Sequence, residues 1–205
     1  MLVDLFSIYL YSFLRLKFMI LKPLANMSEE EGSMRFLKIA GRLKKEYRRG
    51  WIEKAGIENP ESVADHTFRT ALLVMLIGDS RKLDTEKMMK MALIHDLGES
   101  IVGDITPTND EKLKDKEIVE NAAIIRIFNN LSTNIREDYL KLWNELRSGK
   151  SLEARLVSEA DKLEMAIQAS DYEEDGFSKI SLVDFKLYAK NRILDGQILR
   201  MLDLV

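Results

Sequence analysis

Apolar residues in this chain recur at three- and four-residue spacings with almost nothing to interrupt them, since its 205 residues include only three prolines and ten glycines. Proline and glycine are the strongest breakers of regular structure, and a strand needs an alternating apolar pattern that is hard to place anywhere here. The chain is therefore predicted to be all-α. Candidate helices run from about Met34 to Arg48, Ser62 to Ile77, Asp84 to Leu97, Lys114 to Leu131, Ile135 to Arg147, Ser151 to Asp171 and Leu182 to Leu204. Asp84 or Thr85 can cap the third of these, Ser151 opens the sixth, and Gly149 and Gly176 stand where helices should stop. No repeat, low-complexity tract or linker divides the chain, and 46% hydrophobic with 32% charged content suits one packed domain.

The first 26 residues, MLVDLFSIYLYSFLRLKFMILKPLAN, are strongly apolar yet interrupted by Asp4, Arg15 and Lys17. A secretion signal wants a basic start and a small-residue cleavage site, and a spanning helix wants about 20 apolar residues with few charges. Neither description fits. Met27 and Met34 each precede a good soluble start, so two readings stand together: an upstream mis-start, or an apolar helix that packs or associates with a membrane. Residues 1–33 are set apart as an N-terminal extension and residues 34–205 as the folded domain. No membrane partner is expected unless that extension is real.

A net charge of -3 argues against a binder of nucleic-acid polymers, which normally presents a strongly basic face. Any phosphate must be met locally. The absence of cysteine removes disulfides, thiolate metal sites and cysteine nucleophiles, so a bound metal must have nitrogen and oxygen ligands. It also fits a cytoplasmic protein.

Only two histidines are present. Met88, Met91, Ala92 and His95 follow the i, i+3, i+4, i+7 rule, so His95 continues an apolar stripe, with Asp96 directly after it. A buried carboxylate costs several kcal/mol unless paired with a cation. On its own, a buried His-Asp dipeptide is more often a hydrogen-bonded structural pair than a metal site. Two further residues shift that balance. His66 is predicted to sit at the first turns of a helix, beside a core stripe of Phe68, Ala71, Leu72, Met75 and Leu76. Asp161 has Val157 one turn before it and Met165 one turn after, which puts a carboxylate within an apolar face. Two imidazoles and two carboxylates from separate helices suit a borderline or hard divalent ion with positions left for water and substrate.

The order His, His-Asp, distant Asp resembles the metal site of the HD superfamily. The words ESVADHTFRTALL, ALIHDLGESIVGDITP and SEADKLEMAIQASDYEED resemble its 5'-deoxynucleotidase branch, the YfbR-like and HD domain-containing protein 2 group, over about Met34 to Asp175. The resemblance implies a single-domain HD-type helical bundle around one divalent ion, Co2+, Mn2+ or similar, bound by His66, His95, Asp96 and Asp161. It implies removal of the 5'-phosphate from deoxyribonucleoside monophosphates, with Glu99 and Asp104 flanking the reacting phosphate. The RRGW stretch resembles the segment that shapes the nucleotide pocket, which assigns Arg48 and Trp51 there, Arg49 being the alternative register. Read without the resemblance, RRGW is a solvated helix end followed by a core tryptophan. Asp171 and Tyr172 match the family wording with no role assigned.

Glu99 and Asp104 could orient the attacking water or protonate the leaving oxygen, and the residue types alone do not divide the roles. A homodimer is also implied. Phe185, Leu187, Ile193, Leu194, Ile198 and Leu202 could form its surface or close the core. Two other functions compete: an HD-type hydrolase of an alarmone, nucleoside triphosphate or cyclic dinucleotide, and a non-catalytic, metal-stapled helical binding module. Glu99-Ser100 after the dyad, where alarmone hydrolases carry Glu-Asp, and the shortness of the chain disfavour the first; the full set of ligands and carboxylates disfavours the second.

Overall fold

The computed structural model describes residues 27–106 and 110–205, so the two readings of residues 1–26 lie outside the described residues. The chain runs through α1 (Glu29–Ala40), a 3-10 turn (Gly41–Lys45), α2 (Arg49–Ala55), α3 (Val63–Arg81), α4 (Thr85–Ile94), α5 (Glu99–Val102), α6 (Asp110–Phe128), α7 (Thr133–Ser148), α8 (Leu152–Glu174), α9 (Lys179–Lys190) and α10 (Gly196–Leu202). Among the described residues the sole extended pairing is an isolated antiparallel bridge between Tyr47 and Ser62, and the fold is all-α as expected. No described helix is long and apolar enough to cross a membrane.

Local chemistry sets most helix starts. α1 begins at Glu29, ahead of the expected Met34, because Ser28 and Glu31 form a capping box and three glutamates occupy the first turn, where the helix dipole favours negative charge. Ser62 and Asp65 form a second capping box at α3. Asp84 caps α4 by accepting from the Lys87 amide, and Ser151 caps α8 by accepting from the Ala154 amide. Gly149 ends α7 in the left-handed conformation, at φ 59°.

Three expectations needed correction. Most of the stripe assigned to α3 lies on its outer face: Phe68 is 65% exposed and Leu76 is 61% exposed, while Ala71 alone of the five is buried. The inner face is His66, Thr70, Leu73, Val74 and Ile77, so His66 lies on the core stripe instead of beside it. The expected helix from Leu182 to Leu204 is two helices, because Asp195 caps α10 and the buried Glu159 carboxylate of α8 accepts the Leu194 and Asp195 amides at 3.1 and 2.8 Å. The short helices α2 and α5 were not anticipated; neither is long enough to show a period.

Helices α3, α4 and α8 pack around Val74, Ile77, Met88, Met91, Val157 and Leu163, closed from the C-terminal side by Ala189, Ile193 and Ile198. Phe185 joins Trp51, Tyr172 and Leu182 in another cluster, so the apolar C-terminal residues largely complete the core, with Leu187 and Leu194 left exposed. A third cluster joins Ile39, Val63, Ile94, Leu97, Phe128 and Trp143. The candidate ligands sit where these clusters meet.

Candidate metal centre and its cavity

His66 projects from the first turns of α3, Asp161 from the middle of α8, and His95 and Asp96 from the tight turn that ends α4. Consecutive residues of a straight α-helix point about 100° apart. Past Ile94 the chain tightens, with the Leu97 amide donating to the Ile94 carbonyl and the Glu99 amide to that of Asp96, and both His95 and Asp96 reach one point. His66 Nε2 lies 3.2 Å from His95 Nε2, 3.7 Å from Asp96 Oδ2 and 3.1 Å from Asp161 Oδ1, while His95 Nε2 lies 3.1 Å from Asp96 Oδ2. The structure thus brings all four expected ligands together.

Their chemistry fits a divalent cation. His95 Nδ1 sits 2.6 Å from the Ala92 carbonyl, which only accepts, and His66 Nδ1 contacts the buried Glu164 carboxylate. Each Nδ1 therefore carries the proton, and in the neutral rings both Nε2 lone pairs face each other between two carboxylates. Such a cluster of lone pairs calls for positive charge. Burial and Arg48 oppose charge on His66, yet hydrogen bonds to Asp161 and Glu164 outweigh them and push its pKa up to about 9. Burial likewise opposes ionisation of Asp161, but Lys162 and His66 hold its carboxyl well below the usual range. Nitrogen and oxygen donors at these positions match a borderline or hard divalent ion.

A cavity of about 380 Å³ opens from the cluster. Arg48 lines it, fixed by the bridge that pairs Tyr47 with Ser62 and by its own amide, which donates to the Glu61 carbonyl at 3.1 Å. Its guanidinium reaches Asp96 Oδ2 at 3.3 Å. Arg49 is exposed and meets the site only through its amide, which donates to Asp104 Oδ2 at 2.7 Å, so Arg48 is the register that faces the cavity. Gly103, at φ 80°, turns the chain after α5 so that Asp104 reaches that amide.

Glu99 also lines the cavity; it is 2% exposed and, among the described residues, its Oε2 has no hydrogen-bond partner. Burial first, then the charges of Asp96 and Asp104, push its carboxyl well above the ordinary range. Trp51 is placed differently from a free wall residue. Its ring is buried, stacked on Phe185 at 4.1 Å and edge-on to Tyr172, with Nε1 donating to Glu61 Oε1 at 3.0 Å, and only its margin borders the cavity.

Several residues of the site were not foreseen. Lys116 of α6 lines the cavity 3.3 Å from Glu99 Oε1, and Lys162 lines it while pairing with Asp161. Asp184, Phe185 and Tyr188 of α9 form another wall. Nothing local marks these residues, though Glu164 stands one turn after Asp161 and that spacing was readable. Tyr172 gains a role: its hydroxyl accepts the Glu61 amide at 2.7 Å.

Residues 40–199 match the HD domain family. The chain is 43% identical over 162 residues to a Dictyostelium discoideum protein named 5'-deoxynucleotidase HDDC2, covering 74% of this chain and 85% of that one. A Homo sapiens protein of the same name is 37% identical over 152 residues, covering 74% of each chain. Among solved structures, a Pyrococcus horikoshii protein superposes with a TM-score of 0.68 at 32% identity, covering 83% of this chain and 96% of that one. A Pyrococcus furiosus protein gives 0.64 at 35% identity, covering 82% and 94%. The likeness therefore extends from the dyad and its partners across residues 40–199, and the chain belongs to the HD domain family.

Proposed function

We propose that this chain is a metal-dependent 5'-deoxynucleotidase, which hydrolyses deoxyribonucleoside 5'-monophosphates to deoxynucleoside and inorganic phosphate. The observation that carries this reading is the cavity itself, in which Arg48, Lys116 and Lys162 surround a nitrogen-and-oxygen donor cluster beside a carboxyl oxygen of Glu99 that has no partner among the described residues. His66, His95, Asp96 and Asp161 would hold the cation; Co2+ and Mn2+ suit the donors. A divalent ion held there supplies charge neutralisation for the phosphate and makes a nearby water more acidic.

The protein's own groups divide the remaining work. Arg48 and Lys116 bind the phosphate dianion, Arg48 through its planar fork. Water attacks phosphorus in line with the 5'-oxygen and gives up a proton to Asp104. The bond from phosphorus to the 5'-oxygen breaks, its electron pair stays on that oxygen, and Glu99, kept neutral by its burial, donates the proton that makes it a hydroxyl. The margin of Trp51, held by its stack on Phe185, forms with Phe185 a rigid apolar wall for the sugar. A ribose hydroxyl buried there without a partner would cost roughly 1–3 kcal/mol, or about five- to 150-fold in kcat/KM.

The test compares phosphate release from dAMP, dGMP, dCMP, dTMP and AMP under saturating Co2+ or Mn2+. Hydrolysis of the deoxynucleotides with AMP trailing is the expected result, and no release from any monophosphate overturns the reading. Trp51→Phe keeps an aromatic ring against Phe185 while losing the Nε1 bond to Glu61, and it should narrow the gap between dAMP and AMP if this wall is its source. We further propose a cytoplasmic homodimer that uses the exposed Leu187 and Leu194, which light scattering of the purified protein would check.

A further inference from the structure

His66 is held from behind by a ladder on one helix. Asp161, Glu164, Gln168 and Asp171 follow one another at three- and four-residue steps along one face of α8. Asp161 meets His66 Nε2, while the fully buried Glu164 meets His66 Nδ1. Glu164 then accepts from Arg69 Nε at 2.8 Å, and the two remaining nitrogens of that guanidinium donate to Asp171 and Gln168. Arg69 is one turn along α3 from His66, so both ends of the ladder return to the helix that carries the ligand.

We propose that Glu164 is the positioning residue of the metal centre and that Arg69 acts through it, the pair holding the His66 ring so that Nε2 presents its lone pair to the cation. The proposal rests on the reading of His66 as a ligand. Three features carry it. Nδ1 has a carboxylate as partner, which fixes the proton there and raises the donor strength of Nε2. Glu164 has no solvent to orient it, so its direction is set by Arg69. Arg69 spends its whole fork on α8, a geometry that an ammonium could not reproduce.

Glu61, His66 and Glu164 also lie close enough to suggest a second cation site. Both carboxylates already have partners within the protein: Glu164 has Arg69, and Glu61 has Trp51 Nε1 at 3.0 Å and Arg48 Nε at 3.9 Å. Of these two groups among the described residues, the one with His95 and Asp96 is left to hold an ion.

The experiment titrates Co2+ into untagged metal-free protein by calorimetry while recording the visible spectrum of the bound ion, for wild type, Glu164→Gln, Arg69→Met, Arg69→Lys and the Glu164→Gln/Arg69→Met double variant. Melting of each metal-free variant shows that it folds. Glu164→Gln should weaken Co2+ binding about 10- to 100-fold and alter the spectrum. Arg69→Met should weaken it less, and the double variant should bind no more weakly than Glu164→Gln alone, because Arg69 acts through Glu164. Arg69→Lys, the variant least disturbing to folding, should recover only part of the affinity. Wild-type affinity and spectrum in Glu164→Gln overturn the proposal, as do additive losses in the double variant or two ions bound by wild type. His66→Ala is the separate control: if it retains stoichiometric Co2+, the ligand reading fails, whatever the Glu164 variants do.

Discussion

At the scale of single residues, Glu99 and Asp104 are both carboxylates of the cavity, yet their surroundings divide them. Glu99 is buried with one oxygen unpartnered among the described residues, whereas Asp104 is tied by the Arg49 amide and lies 3.9 Å from Lys116. Glu99→Gln should lower kcat by about 10²-fold or more at full metal occupancy, the usual scale for a positioned proton donor, which rate measurements with dAMP would read directly. Asp104→Ala should do the same with a smaller effect on folding than any ligand variant. Near wild-type rates in both would remove the two carboxylates from the chemistry. By contrast His66→Ala, His95→Ala and Asp161→Ala should each lose the ion, as elemental analysis of the purified variants would reveal. These candidate ligands, and their convergence, were legible in the sequence because histidines are so few and because a carboxylate on an apolar stripe calls for a cation. Lys116 and Lys162 were not: a lysine on a charged helix looks the same whether it faces water or a cavity.

At the scale of elements, the chain shows where local signals suffice and where a neighbour overrules them. Ser62 and Asp65 announce the start of α3 in the sequence, and the cap matters because His66 sits just inside it. Ser62→Ala should cost about 1 kcal/mol of stability in urea titrations, the usual value of an N-cap side chain, with a modest loss of metal affinity from fraying. The break between α9 and α10 is the opposite case. The apolar pattern from Leu182 to Leu204 reads as one helix, and the chain turns because Glu159 of α8 accepts two amides that a continuous helix would have bonded internally. Glu159→Gln should therefore destabilise the protein by roughly 1–3 kcal/mol, the scale for weakening hydrogen bonds to a buried charged acceptor, while leaving Co2+ stoichiometry unchanged. A loss confined to metal binding would contradict that assignment.

At the scale of the whole molecule, the candidate ligands come from α3, α8 and the turn after α4, so a bound ion ties together the elements that share the central core. Binding to the folded state alone stabilises by mass action, about 2.7 kcal/mol at a free ion concentration one hundred times Kd. For a domain of this size that corresponds to roughly 5–10 °C in Tm, which chelation should remove in a calorimetric scan and which His66→Ala should never show. The helical class and the restriction of any metal site to nitrogen and oxygen donors were determined by the sequence alone, because periodicity, caps and residue type are local properties. Tertiary structure decided which face of α3 is inside, since its polar Thr67 and Thr70 are buried while Phe68 and Leu76 lie outside, an inversion that no hydropathy pattern carries. It likewise decided which cations line the cavity and which carboxylate meets His66 Nδ1, because those pairings join residues far apart in the chain and exist only once the helices have packed.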